Sequence, residues 1–248
     1  MDEQNMISRM QAVTISREYG SGGGEIAKRL AQRLGWQLID HEIVVHVAQA
    51  LEISEEEAEI HDERVESALN SLLTSMSVVQ PAMFSVSPLP AIMTDPKTYR
   101  EALNQVIEAA VNRGHVVIVG RGAQVVLAKR RDVLHTRIVA PLEQRIAYVM
   151  RREGLSRADA QTRIQLKEHD RMRYLQTQYH RRSDDAHLYD LVVNTGVLDL
   201  DQATDLLYLA LQLKAQHQTT PTGELGPATG LPRYPGQPGD LRPIEEQS

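Results

Sequence analysis

Residues 13–35, VTISREYGSGGGEIAKRLAQRLG, pass from a short β-branched run through four glycines in five positions. They then enter a segment with apolar residues at Ile26, Ala27, Leu30, Ala31 and Leu34. That spacing is helical, and a strand that turns into a helix through so permissive a loop is a unit of an α/β chain. The pattern recurs. WQLID (36–40), HVVIVG (115–120), VLHTRIVA (133–140) and YDLVVNT (189–195) read as strands. Helices are expected over 41–51, 99–112, 142–152, 157 to about 180, and 199–212, with Asp199 or Asp201 as the cap of the last. Strands alternating with helices give a three-layer α/β domain with a parallel five-stranded sheet, covered on both faces. Ligands of such sheets bind beyond the carboxyl ends of the strands. The glycines at 20–24, Asp40, Gly120–Gly122 and Asn194–Thr195 all fall at such ends.

Between the second and third strands the chain is helical and then irregular. Ser54 followed by Glu55, Glu56 and Glu57 is a capping box, opening a helix to about Leu73. Residues 74–96 contain Pro81, Pro88, Pro90 and Pro96, and read as an ordered loop or broken helix near a site, or equally as a mobile loop. After about Ala215 the periodicity stops. Six of the eleven prolines lie beyond it, so 216–248 is expected to be a disordered Pro/Gly-rich tail that buries too little apolar surface to offset its ordering entropy.

The net charge of −6 argues against nucleic acid as a partner. Its distribution is uneven: residues 52–66 hold eight acids and one base, whereas 129–182 hold fourteen bases and six acids. The basic half reads either as solvated helix faces or as a clasp for polyphosphate. The absence of cysteine excludes disulfides and thiolate-bound metals. With no apolar signal core and no run approaching ~20 apolar residues, no membrane association is expected, and the compartment expected is the cytoplasm. The histidines form no metal-binding pattern.

Three stretches carry chemistry. In the glycine loop, consecutive backbone N–H groups make an anion nest, and the helix behind adds its positive end. On its own, the same loop is also a turn that binds nothing. The phosphate-loop signature GxxxxGK[ST] is not met, because Gly23 stands where the lysine falls and Gly24 or Glu25 where the Mg²⁺-holding hydroxyl falls. The missing charge must then come from elsewhere, with Arg17, Arg121 and the arginines of 145–173 as sources. In VIVGRGAQVVL (117–127), Arg121 sits between two glycines at a strand end, suited to fork a phosphate. RIAYVMRREGLSRADAQTRIQLKEHDRMRY (145–174) is a basic helical hairpin that can fold over phosphates and exclude water.

Taken together, VTISREYGSGG, WQLID, REAL, GRGA and YDLVVNT resemble the cytidylate kinase-like branch of the P-loop nucleoside monophosphate kinases, over about residues 10–215. The resemblance implies a P-loop kinase fold with a helical monophosphate-binding insert (about 53–113) and a helical lid (about 154–185). It also implies transfer of phosphate from ATP, with Mg²⁺, to a nucleoside monophosphate, CMP or dCMP first. It makes Ser16, Gly20, Ser21, Gly22, Gly23, Gly24 and Glu25 the nucleotide loop. Asp40, Arg100, Arg121 and Asp170 become the acceptor site, and Arg17, Arg121, Arg171 and Arg173 the catalytic cations. No protein-held metal site is implied. Gly122 replaces an aspartate that reads cytosine in ordinary cytidylate kinases, and His46 and Gln176 stand near expected arginines. Two other expectations stay open: a nucleotide-binding regulator with little turnover, and a kinase for a non-nucleotide small molecule.

Overall fold

The computed structural model describes residues 7–40 and 96–226. Within them, five strands form one parallel sheet: β1 (Ala12–Arg17), β2 (Gln37–Ile39), β3 (Val116–Val119), β4 (Val133–Val139) and β5 (Leu191–Asn194), in the order β2-β3-β1-β4-β5. Side chains alternate across such a sheet, so each buried strand supplies two faces. Val116 and Ile118 of β3 face α2 (Pro96–Arg113) and α3 (Ala123–Val126), where Leu103, Val106, Ile107 and Val111 are buried. Val117 and Val119 face the other way, with Val13, Ile15 and Ile138, against α1 (Gly23–Leu34) and α6 (Leu200–Gln216). The result is three layers. A smaller core of Ile146, Val149, Ala160 and Ile164 joins α4 (Leu142–Glu153) to α5 (Arg157–Tyr179).

The strands fall where the sequence pattern puts them, to within two residues at each end. α6 runs four residues longer than periodicity suggests. Its N-terminus is closed by Asp199, whose carboxylate accepts from the Gln202 amide at 2.8 Å. Ser156 caps α5 in the same way at 3.2 Å. α3 had no expectation attached to it, being a single turn after a glycine pair. α2 falls at the end of the segment 53–113 expected as an insert, and its apolar face is part of the main core. The helices expected over 41–51 and 54–73, the loop 74–95, His46 and residues 227–248 lie outside the described residues. Of the expected tail, 217–226 leave α6 as exposed chain with one 3₁₀ turn, Thr222–Glu224. No helix among the described residues is long and apolar enough to cross a membrane.

The sheet buries a histidine. His135 of β4 is 6% exposed, with its Nδ1 2.9 Å from the Thr14 hydroxyl on β1. Burial pushes its pKa from 6.5 down to about 4, against a weaker pull from Asp190. The folded protein therefore keeps this ring neutral while the unfolded chain protonates it. Stability is full above the unfolded value of 6.5 and falls as pH drops toward 4, by up to about 3 kcal/mol. Urea denaturation at pH 7 and pH 4.5 checks this: His135→Gln is expected to lose less stability between those pH values than the parent does.

Candidate active site

β1 is central and outlasts β3, so its last residues project beyond the sheet. Its pairing with β3 ends at Ile15–Val119, while its pairing with β4 continues to Arg17–Ile138. At that carboxyl edge lies a cleft of about 580 Å³, within the ~300–1,000 Å³ range of small-molecule sites. Ser16 and Arg17 line it from β1, Gly120–Gly122 and Gln124 from the β3–α3 turn, and Arg137 from β4. Lys167, Glu168, Asp170, Arg171 and Tyr174 line it from α5. Five cations thus meet two carboxylates.

The crowding of charge bears most on Arg17. Burial and the guanidiniums of Arg171 and Arg121 lower its pKa to about 9, against the pull of Asp40 and Glu168. It stays cationic at neutral pH, but with too little negative charge around it. Arg121 is stressed in a second way. The turn Gly120-Arg121-Gly122 has φ of 82°, 55° and 70° at successive residues. The left-handed region suits the glycines and costs an arginine ~1 kcal/mol. Its Nε is buried without a hydrogen-bond partner, and its guanidinium lies 5.4 Å from the centre of the Tyr174 ring. Arg137 reaches Ser16 Oγ at 3.3 Å beneath Tyr189, whose hydroxyl donates to the same oxygen at 3.2 Å.

The glycine loop is held from below by packing. Gly22 has φ 80°, and a β-carbon on it would meet the Leu200 side chain at 2.5 Å. The loop is braced by Thr195, which donates to the Ser21 carbonyl at 2.8 Å, and by the Ser21 hydroxyl, which donates to the Glu18 carbonyl at 2.9 Å. Gly23 and Gly24 then open α1, where first-turn amides lack the carbonyls that serve the rest of a helix, while the Glu25 amide donates to the Gly22 carbonyl at 3.0 Å. One loop amide, that of Tyr19, donates to the carboxylate of Glu168 on α5. Arg171 ties the same helix to the loop, donating to the Arg17 carbonyl at 3.2 Å and lying 5.3 Å from the centre of the Tyr19 ring.

Of the residues singled out from the sequence, Ser16, Arg17, Arg121, Asp170 and Arg171 line the cleft. Asp40 ends β2 close enough to Arg17 to raise its pKa. Arg173 must be corrected: two residues beyond Arg171 is 200° around the helix, and it is exposed on the face away from the cleft. Arg100 is not among the lining residues either, but donates to the Gln178 carbonyl at 3.1 Å and so ties α2 to the end of α5. Glu25 pairs with Arg29 at 3.2 Å. Ser21, although central to the loop, spends its hydroxyl inside it. Much of the basic run is a solvated face: Arg157 pairs with Glu143 and Arg163 with Glu153, each at 2.7 Å. The sequence reading missed Arg137, Glu168 and Tyr179. Arg137 had a signal, since a cation inside an apolar strand demands an anion or a partner. Tyr179 had none: its hydroxyl donates to Asn104 Oδ1 at 2.9 Å, and its ring packs where a β-carbon at Gly122 would stand 2.5 Å away.

The model of the cytidylate kinase-like family matches residues 12–197, three quarters of the chain. A curated relative, named uronate isomerase, from Corynebacterium glutamicum, is 28% identical over 142 residues. The match takes in 57% of this chain and 27% of the relative, so the chain spans about a quarter of that protein's length. Among solved structures, an uncharacterized protein from Eubacterium ventriosum aligns with a TM-score of 0.59 at 21% identity, over 81% of this chain and 98% of its own. The architecture is that of a P-loop kinase, with a five-stranded parallel sheet between helices.

Arg121 combines backbone strain with an unpaired buried nitrogen, and both are relieved when the residue is glycine. Arg121→Gly is therefore expected to hold or raise the melting temperature. The same change is expected to weaken binding of inorganic tripolyphosphate at least about tenfold by calorimetry.

Proposed function

The chain belongs to the cytidylate kinase-like family, and from that premise we propose that it is an ATP-dependent phosphotransferase acting on a nucleoside monophosphate, with CMP or dCMP the first acceptors to try. The observation that carries this reading is the excess of buried positive charge at the carboxyl edge of the sheet; residues 20–25 do not line that cleft themselves, but Gly23 packs against the stem of Arg17, which does. A polyphosphate supplies the missing negative charge and satisfies the loop amides. The orphaned Arg121 Nε is a donor awaiting an acceptor of this kind.

Mg²⁺ bound to ATP would neutralise charge on the phosphates. Asp170 and Glu168 are the carboxylates of the cleft available to such an ion. In this reading the amides of Gly20 and Gly22–Gly24 seat the donor phosphates, and Arg121 and Arg137 grip the acceptor phosphate. Arg17 and Arg171 bear on the phosphoryl group in flight. No general base is needed, because a monophosphate oxygen is already a nucleophile, and the work is positioning and electrostatics. α5, carrying Lys167 and Arg171, closes over the reaction and keeps water out.

One observation favours a second reading, a kinase for a non-nucleotide small molecule. The ring of Tyr179 fills the space above Gly122, so no side chain at 122 is available to read a base.

The test is product identification. Incubation of the full chain with ATP–Mg²⁺ and separate CMP, dCMP, UMP, AMP and pooled non-nucleotide metabolites, followed by mass spectrometry, is expected to show a phosphorylated pyrimidine nucleotide. ADP release dependent on a non-nucleotide acceptor alone would select the second reading, and no product from any acceptor would defeat both. Arg171→Ala is expected to lower kcat ~10²–10³-fold with a smaller change in KM, as loss of a charge acting in the transition state does.

A further inference from the structure

The signature GxxxxGK[ST], laid on the chain with its lysine at 23, puts its two glycines at 17 and 22. Gly22 is retained. The other three positions depart from it: arginine stands at 17 where a glycine falls, glycine at 23 where the lysine falls, and Gly24 where the hydroxyl falls; the first two carry the charge. We propose that this is one exchange rather than two losses: Arg17 is the relocated cation of the phosphate loop, and Gly23 is glycine because the stem of Arg17 occupies the space a side chain there would need.

The two residues face each other, one ending β1 and the other opening α1. A β-carbon at 23 would stand 2.7 Å from Cβ and 3.2 Å from Cγ of Arg17, with Ile138 Cβ at 3.4 Å behind. Real β-carbons do not approach a neighbour so closely, and neither backbone nor a β-carbon can swing aside as the tip of a flexible chain can. Gly23 has no need of glycine for its backbone, since it is an ordinary helical residue; it needs only to lack a β-carbon. From this crossing the Arg17 side chain runs over Gly120, where any β-carbon would collide with its guanidinium. It ends in the wall of the cleft beside Arg121 and Arg171. A lysine at 23 would present one point charge from the helix side. Arg17 presents a planar fork from the strand side, able to bridge two phosphate oxygens.

This inference rests on the cleft being a polyphosphate site, but its steric half stands apart from that reading. Four full-length proteins test both halves: the parent, Arg17→Gly, Gly23→Lys, and the double variant. Each is compared by melting temperature without ligand and by ATP–Mg²⁺ calorimetry. Gly23→Lys alone is expected to lower the melting temperature markedly, and Arg17→Gly in the same chain to restore most of it. Arg17→Gly alone is expected to weaken ATP at least about tenfold, and the double variant to recover affinity to within a few-fold of the parent. Should the double variant fail to fold, Arg17→Gln in the native loop isolates the charge and is expected to show the same affinity loss with no fall in melting temperature. Gly23→Lys equally harmful with and without Arg17 would overturn the exchange, as would parent-like ATP affinity in Arg17→Gln. A parent that binds no triphosphate would sink the functional reading instead, while the melting temperatures would still decide whether positions 17 and 23 are coupled.

Discussion

Repulsion among guanidinium groups is the constraint around which this molecule is arranged. Arg17, Arg121 and Arg171 come from a strand end, a strained turn and a distant helix, and converge on one cleft with Arg137 beneath them. Nothing in folding favours such a gathering. Burial penalises each charge, and the neighbours penalise one another. The three-layer core supplies the stability that holds them together: its interior strands are buried on both faces, and α1 and α6 pack against the sheet from one side. The parallel sheet also sets the geometry, because all five strands deliver their last residues to the same edge.

Much of this was legible in the sequence. The β-branched runs at 116–119 and 133–139 and the helical spacing at 26–34 fix the element order. The glycines at 20–24 and the Gly120-Arg121-Gly122 turn mark the carboxyl ends of β1 and β3, where the cleft opens. What remained hidden depends on contacts between remote parts of the chain. The basic run of 145–174 does not show which of its cations turn inward. Only the packing of α5 on α4 sets its rotation, bringing Arg171 to the cleft and leaving Arg173 in solvent. Arg163 and Arg157 find carboxylates on α4 whose proximity no local spacing reveals.

The lysine missing from the loop shows how far a motif can be trusted. Read as a pattern, its loss at position 23 suggests a crippled site. Read in space, the position where the signature carries its lysine lies against Arg17. Likewise Gly122 looks, in sequence, like the deletion of a reading group, whereas in space it makes room for Tyr179. In both cases the glycine is explained by the neighbour that fills its vacancy, and the neighbour is the residue to examine.

α5 touches the site at two places about 16 Å apart along its axis. Near its middle, Glu168 and Arg171 hold the phosphate loop; near its end, Tyr179 holds the Gly120-Arg121-Gly122 turn and Asn104 of α2. A single stiff rod therefore grips both the glycine loop and the Gly120-Arg121-Gly122 turn. It cannot lift from one without loading its hold on the other, so the two borders of the cleft move as one body.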